Sequence, residues 1–279
     1  MPANINTWIA AGFSSGWYML LDSDGYAAGA SGTVSTGSAG AAGGRILGVQ
    51  NADVSIKEPD TVPVSGDDGV LGSFLFAPNE SPSGTFEVGV RDIALEARLQ
   101  STLVQTLGNL NLGVIQPKDP VYVDVGLILS RQAQSQDGAS LGKAMYENAI
   151  VLKAQLAPLG NTPLTGRTAA VTRYRVIANP SNATPMGYTL TNAANGTEAA
   201  PFLTVATDYP LTWHAFRGDG ATTGFVVSQT PSSNIAANHL VFVNGVQVTP
   251  TINTTTKTFT ITPAPANNAK ITVVYQYVP

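Results

Sequence analysis

Short runs in which apolar and polar residues alternate, or in which β-branched and aromatic residues cluster, recur along this chain and are separated by Gly, Pro, Asn and Asp. Alternation with period two puts every second side chain on one face of an extended strand, so each run reads as a half-buried or core strand and each spacer as a turn. Trp8 to Leu21 is the first such run, ending at Asp22, Asp24 and Gly25, where a DG pair signals a tight turn. Val54 and Ile56, closed by Pro59, mark another, and a turn at Ser65 to Gly69 precedes Gly72 to Phe76 and Thr85 to Val90. Pro120 to Leu129, Asn148 to Ala157, Ala169 to Ala178 and Phe202 to Ala206 continue the series.

The period changes at one place. Leu95, Leu99 and Leu103 recur at four-residue spacing with Val104 and Leu107 beside them and Asp92 as a cap, which predicts a helix over Asp92 to Leu107. Ile93, Leu95, Ala97 and Leu99 also alternate with period two, so a strand over the first half fits the same residues. Between Gly25 and Gly44 the pattern fails. Only Tyr26 and Val34 are sizeable apolar groups among Gly, Ala, Ser and Thr, which predicts a flexible loop or arm. Repeated short strands with one helix predict a mainly β protein, an antiparallel β sandwich or barrel with a flanking helix.

From Trp213 the composition shifts, and strands near Gly224 to Ser228, His239 to Val243, Thr258 to Thr262 and Lys270 to Val278, with Asn244 and Gly245 as a hairpin, read as a small separate β unit. The charge divides at the same place, with 11 Lys and Arg against 17 Asp and Glu before Trp213 and 3 against 1 from there on. Two domains are therefore expected, 1–212 and 213–279.

Charged residues make up 11% of the chain, well below the roughly one quarter of an average soluble domain. Few charges suit a protein that covers much of its surface with copies of itself, because a charge is expensive to desolvate. A net charge of −4 without clustered Lys and Arg argues against a protein that grips nucleic acid. The absence of Cys removes disulfides, thiolate metal sites and a cysteine nucleophile. No apolar run approaches a membrane span, and MPANINTWIAAGF lacks the regions of a signal peptide, so a soluble product of the cytoplasm is expected.

Motifs that carry chemistry elsewhere are weak here. GASLG at Gly138 to Gly142 matches a nucleophile elbow, but polar SRQAQSQD precedes it and only His214 and His239 can serve as base, so a loop is expected and Ser140 is not assigned a catalytic role. Asp22 and Asp24 before Gly25, and Asp67 and Asp68 before Gly69, resemble the start of a calcium loop without its later ligands and read as turns. No carboxylates sit at the spacing of an acid/base pair, and neither enzymatic activity, a cofactor nor a metal is expected. Arg217, Gly218 and Asp219 spell an adhesion tripeptide inside a turn, and Asn79, Asn182, Asn195 and Asn253 form sequons that matter only in a secretory pathway. Trp8, Trp17 and Trp213 read as core or interface anchors.

Two resemblances bear on function. Phe216, Gly218, Asp219, Gly220, Thr222, Thr223 and Phe225 match an "F-x-GDG-x-TT-x-F" opening, and Val241 to Gly245 a "VFVNG" hairpin, so that the C-terminal unit resembles a small β-sandwich module of phage tail fibres and other virion proteins. Ile252 to Thr256 replace that module's usual DYT step. GFSSGWYMLLDSDGYAAG, VSGDDGVLGSFLF and YENAIVLKAQLAPLG are similar to segments of the tail tube proteins of long-tailed bacteriophages. That resemblance implies a structural virion protein in the tail, made and assembled in the host cytoplasm. Its copies would form hexameric rings that stack into a hollow tube, with a tape measure protein and passing DNA in the lumen, other tail proteins as neighbours and no membrane partner. Long loops bridge successive rings in such proteins, and here the inter-ring loop would be the stretch marked by Gly25, Tyr26, Val34 and Gly44. The other reading is a tail fibre, baseplate or capsid decoration protein that contacts a host surface or another virion component.

Overall fold

The computed structural model describes residues 8–22, 25–26, 43–55, 60–66, 69–76, 83–90, 92–100, 104–107, 110–114, 122–136, 141–161, 172–178 and 202–279. The fold is mainly β, with antiparallel sheets, one of them nearly closed into a barrel, and one α-helix among the described residues. Before Leu211 the elements are β1 Trp8–Leu20, β2 Gly43–Ile46, β3 Val49–Ser55, β4 Asp60–Gly66, β5 Gly69–Phe76, β6 Ser83–Val88, α1 Ile93–Leu99, β7 Val104–Leu107, β8 Leu110–Val114, β9 Asp124–Ser135, β10 Ala144–Asn161, β11 Thr172–Ala178 and β12 Phe202–Thr207.

The large sheet runs β2-β1-β9-β10-β11-β6-β3. Its two ends are one piece of chain, because β2 passes into β3 through Leu47 and Gly48, pairing with β1 before that corner and with β6 after it. Gly48 turns the corner at φ 70°, a conformation that a residue without Cβ adopts at no steric cost, and its carbonyl accepts from Gly89 N–H at 2.8 Å. β10 is long enough to serve two neighbours along one edge, β12 against its first half and β11 against its second. β4–β5 and β7–β8 form separate two-stranded ribbons.

Alternation divides the strands between two cores. Tyr18, Val125, Leu127 and Val151 point into the barrel, where Phe86 and Tyr174 stack at 4.8 Å, while Trp17, Met19, Ile128, Ile150 and Leu152 point to the opposite face. A register shift between Val151 and Ala154 changes the parity of β10, so that Ala154 and Leu156 join Val151 inside.

The helix is shorter than its leucine spacing predicts. Asp92 caps it as expected, its Oδ1 accepting from Leu95 N–H at 3.0 Å, but the helix stops at Leu99 and Val104 to Leu107 are a strand. Leu95 and Leu99 enter the barrel core, and the Leu99 carbonyl accepts from Val123 N–H at 3.0 Å, so the chain at this point is already tied to the segment leading into β9. The loop expected over Gly25 to Gly44 also ends earlier, because Gly43 and Gly44 belong to β2, opposite Met19 and Tyr18. A Cβ on Gly43 would lie 2.3 Å from the Tyr18 carbonyl oxygen. Two glycines carry no apolar signal, yet the close approach is what requires glycine.

The C-terminal unit contains β13 Leu211–Arg217, β14 Gly224–Val226, β15 His239–Val243, β16 Val246–Val248, β17 Thr251–Asn253, β18 Thr258–Thr260 and β19 Lys270–Gln276. They form a four-stranded sheet, β13-β19-β15-β16, and a three-stranded sheet, β14-β18-β17. The expected strands are present, and β13, β16 and β17 add to them. Asn244 at φ 48° and Gly245 at φ 81° make the tight turn between β15 and β16 that their residue types predict. Trp17, Met19, Leu21, Ile128, Ile150 and Leu152 of the large sheet share one continuous core with Trp213, Phe259, Tyr275 and Tyr277 of this unit.

Candidate assembly surface

The residues singled out from the sequence fall into separate places. Among the described residues no three His, Cys, Asp or Glu side chains gather in a way that could hold a metal ion. Asp22 closes a turn, accepting from Tyr26 N–H at 2.9 Å, and its carboxylate lies 3.6 Å from the Arg217 guanidinium and 3.5 Å from Lys270 Nζ. Lys270 also stands over the Tyr26 ring at 4.3 Å, and Gly25 is buried in the same turn, so of the described members of the expected inter-ring loop Tyr26 sits against the C-terminal unit while Gly44 belongs to β2, opposite Tyr18. Val34 lies outside the described residues, as do Asp24, Asp67, Asp68, Ser140, Asn79, Asn182 and Asn195.

The GDG turn has a local purpose. Asp219 Oδ2 accepts from Thr222 Oγ1 at 2.6 Å and Oδ1 from Thr222 and Ala221 N–H, and these bonds, the Thr222 hydroxyl first, hold its carboxyl down at about 2. Arg217 is only 11% exposed beside Asp22, so the tripeptide does not present its arginine as an adhesion ligand would need. Asn253 likewise caps its own turn, accepting from Thr255 and Thr256 N–H at 3.0 Å. Leu141 and Gly142 form the turn between β9 and β10, where Gly142 N–H donates to Ser135 at 2.9 Å. Both histidines are buried in the C-terminal core.

One buried polar junction escaped the sequence reading. Asn148 is fully buried on the face of β10 that carries Ile150 and Leu152. Its Oδ1 accepts from Ser130 Oγ at 2.7 Å and Leu211 N–H at 3.1 Å, and its Nδ2 donates to Thr207 Oγ1 at 2.7 Å and the Val205 carbonyl at 3.3 Å. One side chain thus ties β9, β12 and the start of β13 together. The visible signal is an amide at a position whose i+2 and i+4 neighbours are core. Asn148→Leu is expected to lower unfolding free energy by about 2–4 kcal/mol in chemical denaturation, since it strands several buried partners at once. A loss below about 1 kcal/mol would mean the junction contributes little.

The surface of interest is the four-stranded part of the large sheet, in order β12-β10-β9-β1. β2 covers β1 only from Gly16 to Met19, so upstream of Gly16 the outer edge of β1 has no strand partner among the described residues. β12 pairs only with β10, which leaves its outer edge open in the same sense. Neither Trp8 to Ser15 nor Phe202 to Thr207 contains a charge or a proline, two of the devices that protect an edge strand, although β1 carries register shifts between Ala10 and Phe13 and between Phe13 and Ser15. Ile9 is 62% exposed on the first of these edges.

The fold and this surface define the class: a mainly β, antiparallel barrel with a β sandwich packed on its outer face. Compared with known proteins, the chain matches no family model, and no curated protein sequence matches it.

Proposed function

We propose that the chain is a structural, self-assembling subunit of a phage tail tube, whose copies join side by side into rings and stack into a hollow conduit for DNA. The observation that carries this reading is the pair of strand edges, free of charge and proline and without a strand partner among the described residues, on opposite sides of one four-stranded sheet. The strands alternate in direction across that sheet, so β12 of one copy set against β1 of the next keeps the antiparallel direction. Two different edges meeting head to tail make a heterologous interface, which closes into a ring when the rotation between copies divides the circle. The low charge of the chain and its resemblance to tail tube segments point the same way. The fibre, baseplate or decoration reading draws on the C-terminal sandwich and its resemblance to fibre modules.

Negative-stain electron microscopy with light scattering tests the proposal. Rings or tubes with a central channel are expected, whereas compact monomers or trimers at high concentration would move the assignment to the second reading. Gly12 is exposed with open space around an added Cβ, and Thr204 is exposed on β12, so Gly12→Lys with Thr204→Lys places like charges along the seam without disturbing the core. The double variant is expected to remain folded and to lose rings. Rings that persist unchanged in it would exclude this seam.

A further inference from the structure

The chain has two histidines, His214 and His239, only 1% and 4% exposed, and they flank one residue, Tyr275, with ring centroids 5.7 and 6.4 Å from it. These three side chains fasten the segment that connects β14 to β15. Ser228 N–H donates to His214 Nε2 at 3.2 Å and Gln229 N–H to Tyr275 Oη at 3.2 Å, while His239 Nε2 lies 2.9 Å from the Ser233 carbonyl oxygen. A carbonyl only accepts, so His239 carries its proton on Nε2. His214 accepts at Nε2 and, as a neutral ring, carries its proton on Nδ1, which faces Tyr275 Oη at 3.5 Å.

Protonation reverses one of these bonds. A second proton on His214 sits on Nε2 and points at the Ser228 N–H, opposing two donors where one bond was. On His239 the new proton would sit on Nδ1, which is buried without a partner among the described residues, in a ring packed edge-on to Phe259 at 5.6 Å. The charged and titratable groups facing the pair cannot compensate. Tyr275 stands between them on β19, and Lys257, a cation, reaches the Ser228 carbonyl at 3.0 Å from the turn before β18. Phe216 stacks on His214 from β13. Asp219 is the one carboxylate side chain from Trp213 onward, and it is bound into its own exposed turn.

We propose that Ser228 to Ser233 is a strap with acid-released ends: protonation of the two histidines frees Ser228, Gln229 and Ser233 from the core of the C-terminal unit while the barrel sheet keeps its pairing. The strap would pivot on bonds that do not titrate, Val278 N–H to the Thr230 carbonyl at 3.0 Å and Ser232 N–H to the Gln276 carbonyl at 2.9 Å. Burial supports the direction, holding His239 below its ordinary value and His214 down at about 4. The detached state takes up protons that the closed state refuses, so closure weakens as pH falls below the ordinary histidine value near 6.5 and levels off near 4.

Hydrogen exchange on the intact protein tests this. Protection factors for the Ser228 and Gln229 amides, corrected for the intrinsic pH dependence of exchange, are expected to fall about 10- to 100-fold between pH 7 and 4.5, with β9 and β10 unchanged. His214→Gln keeps an acceptor for Ser228 without a titrating group, and combined with His239→Gln it is expected to abolish the fall. Unchanged protection down to pH 4.5, or an equal fall in the double variant, would overturn the proposal. Where the double variant does not fold, the imidazole resonances of the natural protein decide. Strap amides that lose protection while both rings remain neutral would overturn it equally.

Discussion

Trp17→Ala is expected to destabilise the protein by about 3–5 kcal/mol and to loosen the C-terminal unit, although Trp17 belongs to the first strand of the barrel. Its side chain is on the outer face of β1, 5% exposed, and meets the Tyr277 ring edge-on at 5.9 Å. Removing an indole there opens a cavity in the core shared by both parts of the molecule, and neither backbone can collapse into it without leaving its own sheet. The indole N–H is buried without a partner among the described residues, so Trp17→Phe removes a group that burial already disfavours and is expected to cost less than about 1.5 kcal/mol. Chemical denaturation gives both losses, and methyl resonances of Val273 and Val274 show whether the far side of that core is disturbed. A loss below about 1 kcal/mol for the alanine variant would mean that the two parts pack weakly.

Gly218→Ala is expected to cost about 3 kcal/mol for the addition of a single methyl group. A Cβ at this position would lie 2.2 Å from the Ala266 carbonyl oxygen and 2.9 Å from that of Pro265, far inside van der Waals contact. The neighbours have no room to give way. Gly218 N–H donates to the Ala269 carbonyl at 2.9 Å, its own carbonyl accepts from Asn268 at 2.8 Å, and Gly220 N–H holds the Pro265 carbonyl at 3.0 Å. Gly220→Ala separates crowding from backbone strain. Gly220 has φ 81° but its nearest neighbour to an added Cβ is 3.8 Å away, so only the strain of about 1 kcal/mol remains. Thermal unfolding of the two variants is expected to rank them in that order, and equal losses would show that the turn relaxes around position 218.

The GDG pattern thus marks structure that sequence reading can recognise but not explain. Its Asp caps the turn, and its first glycine is needed because a backbone from residues 265 to 269, distant along the chain, crosses directly over it. The helix shows the converse. Asp92 and the leucine spacing correctly announce its start, but four-residue spacing continues past the point where the chain is drawn into other contacts. Only the barrel, by taking Leu95 and Leu99 and leaving Val104 to a strand, decides where the helix ends.

Most strands were legible because a half-buried strand must alternate, and the mainly β class follows from counting such runs. The candidate assembly surface was not. An open edge is a relation between strands, and nothing in Phe202 to Thr207 or in Trp8 to Ser15 says which neighbour each one lacks. The same holds for Asn148, whose partners come from β9, β12 and β13, and for the two histidines, which stand 25 positions apart in the chain but on either side of one tyrosine. Local period, turn chemistry and charge belong to neighbouring residues, so the amino-acid sequence by itself determined most of the strands, the Asn244–Gly245 turn and the change of character near Trp213. Which face of β1 enters the barrel, how the C-terminal sandwich finds its floor on Trp17 and Met19, and which edges stay open depend on contacts between distant segments, and those only the tertiary structure decided.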